Sequence, residues 1–191
     1  YLKTLMDLDI VEREVPVTED TPEKSKKGLY KIKDNYLRFW FAFVYPNKSF
    51  IESGHSQIVA KKIRETLVSR HISFVYEDVC RERMWRLNAE DTWPFHFSKL
   101  GRYWDAKTEI DIAAVDPEGK NLILGECKYW RELMGSNILR ELEEKAEHVP
   151  WEQKRRRTWY VLFSAEGFTD ELQALAAERD DVVLFHDFEA A

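Results

Sequence analysis

The stretch Thr108 to Tyr129, reading TEIDIAAVDPEGKNLILGECKY, constrains this chain more than any other. Two apolar runs flank Asp116-Pro117-Glu118-Gly119, a turn by composition, with Pro fixing φ early and Gly taking the strained position late. Its centre falls between Glu118 and Gly119, so an unbulged hairpin sets Asp111 opposite Glu126 and Glu109 opposite Lys128. Side chains alternate along a strand, which groups Glu109 with Asp111 and Glu126 with Lys128, and sends Cys127 to the other face, into apolar packing. Two facing carboxylates repel. Ile123, Leu124 and Gly125 mark this strand as largely buried, and burying like charges without a counter-ion is costly. A hard divalent ion such as Mg²⁺, which takes one or two carboxylates and keeps waters and phosphate oxygens elsewhere, suits the Asp111/Glu126 pair. The competing reading is an ordinary polar hairpin face, with Glu109 paired to Lys128 and the other two acids hydrated.

The flanking pattern places the hairpin in an α/β frame. Tyr1, Leu2, Leu5 and Met6 open on an amphipathic run, as in a piece of a longer protein. Ile10 to Val17 and Leu29 to Lys33 read as two strands around a polar turn, and a lone hairpin is expected to need a further packing partner. Asp34 or Asn35 can cap a helix bearing Tyr36, Phe39, Trp40 and Phe43, which Pro46 is expected to stop. Ser56 to Arg70 and Ile72 to Leu87 carry helical periodicity. Strands are then expected at Phe95 to Trp104, Glu109 to Val115 and Leu122 to Tyr129. A helix capped by Ser136, with Leu139, Leu142, Ala146 and Val149 on one face, follows. Strand Trp159 to Ser164, helix Asp170 to Arg179 and strand Val182 to His186 close the chain. This order implies a mixed sheet flanked by helices.

Composition excludes several classes. The longest apolar run, Phe39 to Tyr45, is too short to span a bilayer, and no membrane partner is expected. Cys80, Cys127 and five scattered histidines form no zinc spacing and no disulfide framework, which suits a reducing cytoplasm. The net charge of −6 counts against a protein that lives on nucleic acid. Local basic clusters do occur, at Lys24, Lys26 and Lys27 and at Lys154 to Arg157, and their first reading is solvated turns.

Asp111, a turn, then Glu126-Cys127-Lys128 resembles the D...ExK signature of the PD-(D/E)XK, or restriction-endonuclease-like, nuclease superfamily. The order of helix, three strands, helix and strand from residue 72 is similar to that superfamily's core, and Glu77 resembles the acid its first helix adds to the metal site. The superfamily's Pro before the Asp is here Ile110. More widely, YKIKDNYLRFWFAFVYPN, GRYWDAKTEIDIAAV and LILGECKYW resemble the C-terminal domain of the archaeal and bacterial ATPase family labelled DUF234. The resemblance implies the end of a winged helix over residues 1–33, a helical linker over 34–70 and a restriction-endonuclease-like domain over 71–191. No Gly-x-x-x-x-Gly-Lys-Ser/Thr occurs in this sequence, so any ATP site is expected in a parent P-loop module outside it. The implied activity is phosphodiester hydrolysis on nucleic acid, expected to be DNA, with Asp111, Glu126 and Glu77 holding Mg²⁺ or Mn²⁺. Lys128 would orient water or offset developing charge, and Glu109 is either a further ligand or the partner of Lys128. Arg102, Lys107, Lys154, Arg155, Arg156 and Arg157 are the candidates for backbone contacts. Trp104 and Trp130 are read first as core, with base stacking as the alternative. Two other classes stay open: a silent nuclease-like module that binds nucleic acid or regulates the ATPase, and an interaction domain in which the aromatic helix docks on the ATPase or a second copy.

Overall fold

The structure is a computed structural model that describes residues 1–187 and, for the backbone, 189–190. The chain forms two compact units, one of residues 1–14 and 28–75, the other of residues 15–27 and 76–191. Among the described residues no helix is long and apolar enough to cross a membrane.

In the first unit α1 (Leu2–Asp7) leads into an antiparallel hairpin of β1 (Val11–Glu14) and β2 (Leu29–Ile32), with Val11 opposite Ile32 and Glu14 opposite Leu29. Asp34 caps α2 (Asn35–Phe39), its Oδ1 accepting the Leu37 N–H at 2.8 Å. Pro46 does not end the helical run as expected. A π-turn (Trp40–Val44) and a 3₁₀ turn (Tyr45–Asn47) carry it on into α3 (Lys48–Glu52). Pro46 lies in the first turn of the 3₁₀ segment, where a missing N–H removes no helical bond. A second π-turn (Val68–Ile72) joins α4 (Ser56–Leu67) to α5 (Ser73–Ala89), so the two expected helices form one continuous run. Phe39, Phe43 and His71 pack their rings together in this unit.

The boundary between the units falls inside α5, after Val75. In the second unit a mixed sheet takes the order β3 (Lys99–Trp104), β4 (Glu109–Val115), β5 (Asn121–Lys128), β6 (Arg157–Ser164), β7 (Val182–His186) and the short β8 (Glu189–Ala190). β4 pairs antiparallel with both β3 and β5, whereas β6 pairs parallel with both β5 and β7. The crossovers pass through α6 (Ser136–Ala146) and α7 (Asp170–Ala177). Apolar side chains of α6 and α7 cover one face of the sheet, with Leu139, Leu142 and Leu172 against Leu122, Leu124 and Leu162. Tyr76, Cys80, Met84 and Leu87 of α5 cover the other, against Ile112, Ile123, Val161 and Phe163. Val17, from the loop between β1 and β2, joins the first of these cores and donates its N–H to the Arg102 carbonyl at 2.9 Å.

Two local expectations shift. β3 begins only at Lys99, because the side chain of Asn88 takes both the N–H and the carbonyl of Phe97, at 3.0 and 3.1 Å, in place of a ladder. Ser136 is the first helical residue of α6 and not its cap; its hydroxyl donates to Glu171 Oε1 at 2.8 Å.

Gly125 fits where a side chain does not. A Cβ there would stand 2.4 Å from Val161 Cγ1 and 2.7 Å from the Val161 carbonyl oxygen. Gly125→Ala is therefore expected to destabilise the protein by roughly 1–3 kcal/mol, by forcing β5 and β6 apart in a packed core. Chemical denaturation of the variant beside wild type measures this, and an unchanged midpoint contradicts the packing described.

Candidate metal centre at the end of the central strands

The observed hairpin register is the expected one where the ladder persists, from Val115 opposite Leu122 to Ile112 opposite Gly125. The Asp116 carboxylate organises the turn by accepting from Lys120 N–H at 2.9 Å and Asn121 Nδ2 at 2.8 Å, and Gly119 takes a φ of +72°. Beyond Ile112 the two strands part. Asp111 Oδ2 accepts the Cys127 N–H at 3.0 Å, a side chain standing in for a ladder carbonyl.

The cause lies on the other edge of β4. Gly101 faces Ala113 but Tyr103 faces Ile110, so Arg102 alone stands against Asp111 and Ile112. That is a β-bulge, which bends its strand and re-aims a side chain. Its trace is visible in the packing, for Ile110 and Ala113 share one core despite their odd separation, and Ile112 joins the opposite one. Arg81 of α5 donates from Nη1 to the Asp111 carbonyl at 2.8 Å and thereby partners a backbone oxygen freed by the bulge.

Glu126 is buried on the α6 side of the sheet, its side chain 6% exposed. Lys128 Nζ donates to its Oε2 at 2.8 Å, and Lys145 Nζ, from α6, donates to its Oε1. Burial pushes the Glu126 carboxyl up, but the two ammonium groups outweigh it and hold the group below its ordinary range. Glu77, on α5, has its Oε2 3.8 Å from Arg81 Nη1 and 3.9 Å from Arg102 Nε. Burial and then the Asp111 charge push it up to about 7 against these arginines. Burial and the Glu126 charge likewise push Asp111 up to about 6. Cys127 is buried against α5 with Cys80, as alternation requires, and burial raises its thiol.

Glu109 is exposed and pairs with Arg102, so the cross-strand Glu109 to Lys128 pair of the polar-face reading does not form. Lys128 instead bonds Glu126 and lies 5.6 Å from the centre of the Trp130 ring. Trp130 is 48% exposed and not core; Trp104 is half-buried beside Arg102. Sequence reasoning missed Arg81 and Lys145. The signal for Lys145 was its place three residues after Leu142 and next to Ala146, at the border of the apolar stripe of α6, where a cation reaches the sheet.

The chain matches the DUF234 family, archaeal and bacterial proteins of unknown function, over residues 40–159. It is also 38% identical over 152 residues to an uncharacterized protein, MJECL04, of Methanocaldococcus jannaschii. The chain belongs to the DUF234 family. The aligned part makes up 78% of this chain and 33% of that relative, so this DUF234 chain spans about a third of the relative's length. No solved structure matches it.

Among the described residues of this DUF234 domain, no group of three or more His, Cys, Asp and Glu side chains stands close enough to hold a metal ion. The donor types nevertheless fit a hard cation. Burial first, and then the Asp111 charge on Glu77 and the Glu126 charge on Asp111, raise these two carboxyls, and Glu126 has both oxygens engaged by lysines.

The basic candidates divide. Lys107, Lys154 and Arg155 are exposed. Arg157 pairs with Asp180 at 2.6 Å and stacks on Trp159. Arg156 turns inward, donating to the carbonyls of Ala146, Val149 and Trp151 at 2.6 to 2.7 Å, and so closes the C-terminal end of α6. Arg156→Ala is expected to cost about 1–3 kcal/mol by leaving the Val149 and Trp151 carbonyls without their arginine donor, while Lys154→Ala and Arg155→Ala leave stability unchanged; thermal unfolding of the three variants separates them.

Linkage gives the site a pH signature. Glu77 has a folded value of about 7 against an ordinary 4.5, so its contribution is complete below 4.5 and is lost as pH rises through 7. Asp111 acts in the same sense, from 3.8 to about 6, and Glu126 in the opposite one, because its value is lowered. Metal-free protein is thus expected to lose stability between about pH 5.5 and 8, with Glu77 responsible for roughly 2 kcal/mol. Glu77→Gln, neutral throughout, flattens that loss; unfolding at the two pH values reads it, and an equally steep loss in the variant removes Glu77 as the cause.

Proposed function

We propose that this DUF234 domain is a metal-dependent phosphodiesterase of the restriction-endonuclease-like type, acting on nucleic acid and most naturally on DNA. One observation carries the reading. The bulge and the parting of β4 from β5 bring Asp111 beside the strand that presents Glu126 and Lys128, with the half-buried Glu77 of α5 feeling the Asp111 charge. In this reading Asp111 and Glu126, joined by Glu77 once the three carboxylates draw together, would hold Mg²⁺ or Mn²⁺, which would supply a water of lowered pKa and stabilise charge on the scissile phosphate. Lys128, fixed by its bond to Glu126, orients the attacking water or offsets the charge developing on phosphate oxygens. Lys107, Lys154 and Arg155 are the exposed cations available to the nucleic-acid backbone. The resemblance to the ATPase family supports, as part of this proposal, a longer parent protein with a P-loop module that binds ATP and a winged helix.

A second reading is favoured by a specific feature. Both oxygens of Glu126 are bonded to lysines, as in a nuclease-like module whose ion site has been filled by protein cations and which binds nucleic acid or regulates its parent ATPase.

Cleavage of labelled single-stranded, duplex and branched DNA in Mg²⁺ or Mn²⁺ tests the proposal. Lys128→Met is expected to slow cleavage by about 100-fold or more, and Glu126→Ala to abolish it, with both variants folded by circular dichroism. Absence of cleavage by wild type with either metal, in the full-length protein with ATP, decides for the silent module.

A further inference from the structure

We infer that Lys145 is a built-in competitor for the cation of this site, holding Glu126 in the metal-free protein and leaving it when the metal enters. The inference rests on the metal-site reading above and adds to it a residue outside the D...ExK motif. The two lysines on Glu126 reach it by different routes. Lys128 follows it by two positions on β5, on the same face, and its ammonium also lies against the Trp130 ring. Lys145 arrives from α6 across the sheet, carried there by the packing of Leu142 and Ala146 into the core below. A carboxylate holding two ammonium groups repels an approaching divalent ion, so one of them has to withdraw.

Lys145 is the one free to do so. Its side chain is 33% exposed against 23% for Lys128, and it ends a flexible four-carbon stem. Glu141, exposed and four residues earlier on α6, stands in the orientation that best receives a lysine on a helix surface. When Lys145 swings away, Lys128 still bonds Glu126, so no bare buried carboxylate is left behind. Lys145 is thus a positioning residue that sets the affinity for metal rather than a group that meets the reacting atoms.

Titration calorimetry with Mn²⁺ alone, on wild type, Lys145→Met, Lys145→Arg and Glu126→Gln, tests this without any need for turnover. Lys145→Met is expected to bind Mn²⁺ about tenfold more tightly than wild type, Lys145→Arg to match wild type, and Glu126→Gln to bind more weakly. Lys145→Gln, tighter in the same sense, guards against a misfolded Met variant. Unchanged or weaker binding in both neutral variants, with Glu126→Gln still impaired, overturns the competitor and leaves the metal site standing. Absence of Mn²⁺ binding in wild type and in both neutral variants overturns the metal-site reading along with it.

Discussion

The hydrogen bond from the Cys127 N–H to the Asp111 carboxylate holds this site in shape. β4 and β5 are paired backbone to backbone as far as Ile112 and Gly125, and a buried pair of strands cannot simply stop there with its donors exposed to apolar packing. The Asp111 carboxylate takes the next donor and Arg81 takes the Asp111 carbonyl, so the strands separate while each freed group stays partnered. Separation is what opens the end of the sheet around Glu126 and Lys128. The residue that makes the gap is therefore also one of the charges that occupy it, and its replacement alters geometry and electrostatics together.

The charges around that gap are sorted rather than mixed. On the α6 side Glu126 meets two ammonium groups and its carboxyl is held low. On the α5 side Glu77 and Asp111 face one another in a buried setting, and the nearby arginines do not offset the cost. Neighbouring carboxyl groups are thus pushed to opposite sides of their ordinary values, the condition under which one can hold a proton while another stays ionised. The net charge of −6 says little about this balance, which is local. Much of the basic sequence is likewise spent internally, for Arg156 closes α6, Arg157 pairs with Asp180 and Arg102 serves the acids of the site.

Much of the second unit was legible because its signals are periodic. A turn built on Asp116 and Gly119 between two apolar runs fixes hairpin register, and the observed ladder agrees from Val115 to Ile112. The bulge was not legible: it inserts a residue without changing composition, and only the change of face between Ile110 and Ala113 betrays it. Phe95 to Ser98 carries strand-like residues, yet the Asn88 amide, near the end of α5, captures the Phe97 backbone first. Pro46 reads as a stop only if the helix stays α throughout, whereas turns of other pitch absorb it. Asp111, Glu126 and Lys128 were readable as a motif, and Glu77 as the acid of the preceding helix. Lys145 was hidden because a single lysine at the edge of an amphipathic helix looks like solvated surface until the sheet below it is known.

Whether Glu126 keeps its lysines or exchanges one for a metal is a question of what a buried carboxylate requires. At 6% exposure it cannot stand ionised without a cation, and either lysine alone meets that requirement. A second lysine is in excess of it. In the proposed reading, were Lys128 the single partner, a divalent ion would have to displace the group assigned to the phosphate; with Lys145 present, the exchange would take place on α6 and leave the β5 arrangement intact. Under that proposal, redundant compensation of one carboxylate would let the site remain folded and charge-balanced without metal while keeping its strand-borne acid and lysine in place for it.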